Sequence, residues 1–104
     1  MIVRTWRGRA SAAKAEEYIR HFRTNVVADL RSVDGFLGAT LVRQARADDI
    51  EFLVITRWRS LEAIRGFAGN TIGRAVVEPG AIAALASYDD FAEHYEVVEE
   101  VAPA

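Results

Sequence analysis

The chain contains no cysteine, and only two prolines, one methionine and two histidines among its 104 residues. Without thiols it can form no disulfide, thiolate nucleophile or Cys-ligated metal site, and two histidines without further clustered ligands do not make a metal centre. A basic surplus is also lacking: 13 Lys and Arg stand against 15 Asp and Glu, for a net charge of −2, which argues against a nucleic-acid partner. No apolar run is long enough to span a bilayer, and Met1-Ile2-Val3-Arg4 enters a strand pattern at once. Neither a membrane span nor a signal peptide is expected, and the expected location is cytoplasmic. Gly66, Gly69 and Gly73 follow a helix start instead of preceding one, so no phosphate-cradling loop is present. These absences together predict a protein without a metal or cofactor.

What the chain has is apolar surface. Hydrophobic residues make up 51%, enough for one modest core and for a second buried surface such as a subunit interface. The pattern is organised around residues 51–69. Glu51–Trp58 reads as a strand whose middle, Phe52-Leu53-Val54-Ile55, is apolar at both parities, so both faces are expected to be covered. Ser60 can cap the following helix, Leu61, Ile64 and Phe67/Ala68 fall at helical spacing, and Gly69 ends it.

Around this unit, Ile2–Gly8 reads as a strand, with Arg4 and Trp6 on one face. A helix capped by Ser11 is predicted to about Val33, with the stripe Ala15, Tyr18, Ile19, Phe22, Val26, Leu30 and Val33. Gly35 supplies a turn, Phe36–Ala45 is a second strand, and Arg46–Asp49 is a hairpin loop. A helical turn is expected over Thr71–Val77. A helix follows from Pro79, its inner face formed by Ala81, Ile82 and Leu85. Tyr88–Val98 is the last strand. Residues 1–98 thus form one domain, and 99–104 a polar tail. The order βαββαβ, with right-handed crossovers, gives an α+β ferredoxin-like fold: a four-stranded antiparallel sheet with both helices on one face. The other face needs a cover, and a second copy packed face to face would complete a dimeric α/β barrel.

The run Ile55-Thr56-Arg57-Trp58-Arg59-Ser60-Leu61-Glu62-Ala63-Ile64 with Phe67-Ala68-Gly69 resembles the antibiotic biosynthesis monooxygenase-like superfamily. So do Val33-Asp34-Gly35-Phe36 and His94-Tyr95-Glu96-Val97. The resemblance covers nearly the whole chain and implies the dimeric barrel, with a ligand cleft between helices and sheet. Members include cofactor-independent oxygenases of phenols and quinols, haem-degrading enzymes and small proteins without a known reaction. The haem-degrading members carry an Asn in the first strand, a Trp in the helix after the central strand, and a His that ligates iron. Here the first strand offers Arg4, Thr5 and Arg7, Phe67 lies where the Trp would fall, and Val76-Val77 where the His would fall. Haem degradation is therefore not expected.

The implied site takes Phe22, Phe67, Ile72, Trp58 and Trp6 as substrate-binding residues around a small aromatic. His94 is the candidate general base and Arg4 the oxyanion stabiliser, because an imidazole titrates near neutrality and a guanidinium holds developing negative charge. Each also has a plainer reading. Trp58 can be a structural plug, Trp6 can close the barrel end, and His94 and Arg4 can pair with charges across a dimer. His21, about 135° from the centre of its helix stripe at roughly 100° per residue, is expected to face solvent. Two functions remain open: a cofactor-independent monooxygenase of a quinol or phenol, and a non-catalytic apolar-ligand-binding or accessory homodimer.

Overall fold

The computed structural model describes residues 1–104. It runs β1 (Ile2–Ala10), α1 (Ala15–His21), a π-helical turn (Phe22–Val26), α2 (Val27–Arg31), β2 (Phe36–Ala45), β3 (Ile50–Trp58), α3 (Leu61–Ala68), α4 (Pro79–Ala84), β4 (Ser87–Tyr88) and β5 (Glu93–Glu96). All strand pairs are antiparallel, in the order β2-β3-β1, with β4 and β5 both on the far side of β1. Because β5 lies along Ile2–Thr5 and β4 along Gly8 and Arg9, the two are halves of one edge strand. The sheet is therefore four strands wide, and the fold is the expected α+β ferredoxin-like arrangement.

β1 and β3 pair without a break from Ile2↔Trp58 to Ala10↔Ile50. Side chains alternate across a strand, so this register assigns every residue of both strands to a face. Arg4, Gly8 and Ala10 of β1 and Phe52, Val54, Thr56 and Trp58 of β3 are buried beneath the helices. Leu53, Ile55 and Arg57 point the other way and stay partly exposed.

The first helix differs from the expected Ser11–Val33 span. β1 continues to Ala10, and the Ser11 carbonyl closes a turn with the Lys14 N–H at 3.0 Å, so Ser11 caps nothing. Helical backbone persists through every junction from α1 to α2, making one helix with a π-helical turn inside it. The sequence contains the reason. Phe22, Val26 and Leu30 recur every fourth residue, whereas an α-helix turns once in about 3.6 residues, so a strict α-helix would carry such a stripe away from the sheet. The wider turn takes up that drift.

α3 begins as expected: the Ala63 N–H donates to Ser60 Oγ at 3.1 Å, and Gly69 ends the helix at φ +77°. Thr71–Val77 is not helical beyond a single turn closed by Arg74 N–H to Thr71 O. In α4, Ala81, Ala84 and Leu85 are buried while Ile82 is half exposed; spacings of three and four from Ala81 choose Ala84 and Leu85 over Ile82. The last strand is interrupted between β4 and β5 because its polar groups turn elsewhere. The Asp90 carbonyl accepts from Ala75 N–H, the Ala92 N–H donates to Gly73 O, and Arg74 and Phe91 form an isolated bridge. The edge strand thus gives up part of its ladder to hold the irregular segment between α3 and α4.

Two clusters fill the space under the helices. One contains Tyr18, Phe22, Phe52, Val54 and α4; the other contains Leu30, Trp58 and Ile64, each fully buried. Trp58 is packed by Phe36 at 5.4 Å and Phe67 at 5.9 Å between ring centroids. Its indole N–H donates to Thr56 Oγ1 at 2.8 Å, which satisfies the one polar atom the ring brings into the core. Trp58→Ala should lower unfolding free energy by about 3–5 kcal/mol in chemical denaturation; a loss below about 1 kcal/mol would show that the ring is not the plug of this cluster.

Candidate functional site

A cavity of about 40 Å³ lies between the sheet and the helices, with Arg4, Trp6 and Phe67 among its walls. β1 parity sends Arg4 and Trp6 under the helices, and α3 brings Phe67 over them. Arg4 is 4% exposed, and its guanidinium carbon lies 5.9 Å from the centre of the Phe67 ring. Arg4 Nη1 donates to the Ile72 carbonyl and, at 2.9 Å, to His94 Nε2, while Nη2 donates to the Arg74 carbonyl at 3.0 Å. All three acceptors are uncharged. Two of its five N–H groups make no hydrogen bond within the chain. Burial brings the Arg4 pKa down to about 10, which still leaves a full positive charge at neutral pH. An enclosed cation without a carboxylate is costly to desolvate, and it favours an anion arriving from outside.

The other expected site residues are placed differently. His94 is the register partner of Arg4 and faces the helix side, as the site reading requires. An arginine can only donate, so His94 Nε2 accepts and its proton sits on Nδ1. The lone pair is directed at Arg4, and His94 is not a wall of the cavity. Burial, and then the Arg4 charge, hold its pKa below the usual 6.5. Trp58 lies beneath the site and supports Thr56, which is a wall. Ile72 contributes its backbone carbonyl, while its side chain packs on the Trp58 cluster. Phe22 faces a separate groove of about 340 Å³ beside β2, shared with Ile19, Val27 and Leu41. Trp6 is fixed by its indole N–H, which donates to the Asp89 carbonyl at 2.7 Å.

Tyr18, Thr56, Glu78 and His21 are cavity walls outside the expected set of site residues. His21 requires a correction: it is 9% exposed, not solvated, and its Nε2 is buried without a hydrogen-bond partner. The position of a residue around one helix says nothing of what a distant element covers. α4 covers that flank, and Gly80 makes the approach possible, because a Cβ there would stand 2.6 Å from His21 Nδ1. A glycine directly after Pro79 was the available sequence signal. Burial of the Tyr18 phenol pushes its pKa up. Glu78 is also raised, first by burial and then by the neighbouring Asp29 carboxylate, with the His21 charge acting in the opposite direction. No group of three His, Asp or Glu side chains is arranged to hold a metal ion. No helix is long and apolar enough to cross a membrane.

The family model for antibiotic biosynthesis monooxygenase matches residues 1–79. No curated protein sequence matches. Among solved structures, a protein from Bacillus cereus provisionally named an antibiotic biosynthesis monooxygenase superposes with a TM-score of 0.70 at 18% identity, covering 100% of this chain and 97% of that one. The haem-degrader MhuD of Mycobacterium tuberculosis gives 0.64 at 23%, covering 98% and 100%. SnoaB of Streptomyces nogalater, a cofactor-independent oxygenase, gives 0.62 at 18%, covering 96% of each. At these identities the likeness is one of fold.

The Arg4–His94 contact has a measurable consequence. A histidine whose folded pKa lies below its unfolded value contributes stability that is fully present above that unfolded value and is lost as pH falls through the folded one. The melting temperature should therefore fall as pH drops below about 6.5, and less steeply in His94→Gln, whose amide oxygen can still accept from Arg4. Identical pH profiles for the two proteins would show that His94 is not held neutral by this contact.

Proposed function

The chain belongs to the antibiotic biosynthesis monooxygenase family, and on that premise we propose that it is a cofactor-independent monooxygenase of a small electron-rich aromatic, a quinol or a phenol. The observation that carries this reading is Arg4: a buried guanidinium without a carboxylate, beside Phe67 in a mostly apolar cavity. A phenol loses its proton more readily where a fixed cation receives the oxyanion. The electron-rich ring can then pass electrons to dioxygen directly. Overall, a phenol becomes a quinone, or a quinol a hydroxyquinone, with one oxygen atom retained and the other released as water. The substrate supplies all four electrons, so no further reductant is required. In this reading His94 positions Arg4 through Nε2. SnoaB, described as cofactor-independent on the same fold, supports a scheme without haem or metal. So does the identity of Phe67 and Val76, side chains that cannot ligate iron.

The cavity of about 40 Å³ admits water, whereas small-molecule pockets commonly exceed about 300 Å³. An aromatic ligand therefore enters by displacing a wall, and the irregular segment carrying Val76 and Glu78 is the one without helix or strand. Arg4 itself ties that segment down through the Ile72 and Arg74 carbonyls. A second reading, a non-catalytic binding or accessory module, needs no base, and His94, the base expected from the sequence, spends its Nε2 lone pair on Arg4.

The homodimer belongs to the same proposal. On the outer sheet face the register sets Val42 beside Leu53, and Ile55 beside Thr5, with Val3 and Tyr95 in the next row. Arg7, Arg9 and Glu51 form an ion-paired rim at one end. A second copy laid face to face would bury the apolar rows.

Oxygen uptake during aerobic incubation with a quinol panel should be catalysed by metal-free, haem-free protein. Arg4→Ala should lower the rate by roughly two to three powers of ten, and Arg4→Lys should lower it less. Ligand binding without oxygen uptake would select the non-catalytic reading; loss of stability without any change in rate would make Arg4 structural. In sedimentation equilibrium the protein should be a dimer. Leu53→Asp, on the outer face, should release folded monomer, whereas Val54→Asp, under the helices, should unfold the chain. A wild-type monomer at micromolar concentration would exclude the face-to-face dimer.

A further inference from the structure

We propose that His21 is the general base of this site, taking the hydroxyl proton of the aromatic ligand on Nε2 while Arg4 holds the resulting oxyanion. The inference rests on the reading of the cavity as a phenol or quinol site, and it adds the group that performs the proton transfer.

His21 is a cavity wall and nine-tenths buried, and its Nε2 has no hydrogen-bond partner in the chain. A buried polar atom without a partner is uncommon and costs free energy unless something that enters the site satisfies it. Neighbours flank the ring on two sides: Tyr18 lies 6.3 Å away between centroids, and a Cβ at Gly80 would stand 2.6 Å from Nδ1. Arg4 and His21 thus supply complementary halves of one reaction. Arg4 has only protons to donate and no carboxylate to neutralise it; His21 Nε2 has no partner in the chain, and in the tautomer with its proton on Nδ1 it can accept one. His94 cannot fill this role without releasing Arg4, since the same nitrogen accepts from the guanidinium.

The step balances simply. The ligand O–H bond breaks, its electron pair remains on oxygen beside Arg4, and the proton forms an N–H bond at His21 Nε2. Neutral phenol and imidazole become phenolate and imidazolium. The charged groups around His21 favour the change. Glu78 is a wall of the same cavity, and a carboxylate there is a counter-charge for an imidazolium formed in the reaction. Asp29 acts on Glu78 and raises its pKa, while Tyr18, with its phenol pKa raised by burial, stays neutral. Arg4 opposes a second positive charge in the free protein. That opposition ends when the phenolate forms between the two cations.

4-Nitrophenol reads this transfer without oxygen chemistry, because its phenolate absorbs in the visible and the phenol does not. In buffer below the probe's own pKa, wild-type protein should bind it with a phenolate band. The ¹⁵N signal of His21 Nε2 should move to the imidazolium position in the same titration. His21→Gln should bind the probe without the band and should slow quinol oxidation by roughly two to four powers of ten at nearly unchanged melting temperature. His94→Gln should keep the band. If His21→Gln keeps both the band and the rate, or if the wild-type Nε2 signal stays neutral on binding, His21 is not the base and the cavity reading still stands. Wild-type protein that binds no nitrophenol and oxidises no quinol overturns the cavity reading, and this proposal with it. Haem that titrates stoichiometrically with a Soret band lost in His21→Gln would make His21 an iron ligand instead. The wild-type NMR measurement decides the matter even if a variant fails to fold.

Discussion

The pairing of β1 with β3 is the constraint on which the rest of the molecule depends. Its nine residue pairs run without a bulge, so one register decision places Arg4, Trp6, Val54 and Thr56 under the helices together. A slip of one residue would turn Arg4 and Trp6 outward and bring Thr5 and Arg7 in. β2 tolerates an irregularity, between Phe36 and Gly38, because it contributes no wall to the Arg4 cavity. The edge strand tolerates a gap for a different reason: its freed polar groups hold the chain between α3 and α4. Regularity is concentrated where Arg4 and Thr56 are rooted.

The opposite wall is held from two sides, by the edge strand and by Arg4. Two of the bonds securing residues 72–74 come from Arg4, the side chain assigned to receive the ligand's charge. A ligand oxyanion would compete for the same guanidinium that keeps the wall closed. Binding and opening are then linked through one residue, and part of the interaction energy with the anion goes into rearranging the wall. Trp58 stabilises the opposite side. Through Thr56 Oγ1 it braces the cavity floor, so its contribution is structural even though it stands one residue layer from the cavity.

Strands, the α3 boundaries and the grouping of Arg4 with Trp6 on one face were legible in the sequence, because period-two and period-3.6 patterns report alternation and burial directly, but which face the helices cover was not. Ser60 and Gly69 marked their helix ends because cap chemistry is local. The π-helical turn was not legible, since a four-residue stripe from Phe22 to Leu30 also suits an ordinary helix at low resolution of pattern. His21 was missed for a related reason. Its burial comes from α4, a short element far along the chain, and no periodicity within one helix reports what another helix will cover. Parity grouped His94 with Ala92 and Glu96, but it could tell neither which face of the sheet that was nor which neighbour takes the lone pair. Ile82 and the interruption of the last strand failed likewise, because contacts distant in sequence decided them.

Gly80 and His21 have consequences for how relatives of this chain should be compared. The imidazole occupies the volume that any side chain at position 80 would claim, so the two positions form a single steric choice. A chain with a larger residue at 80 must place a smaller or differently rotated group at 21, and its cavity then lacks this nitrogen. A chain with glycine at 80 leaves a slot that an imidazole fits. Members of one fold family can therefore share every strand and helix described here, yet divide into chemically different groups at a pair of residues almost sixty positions apart in sequence.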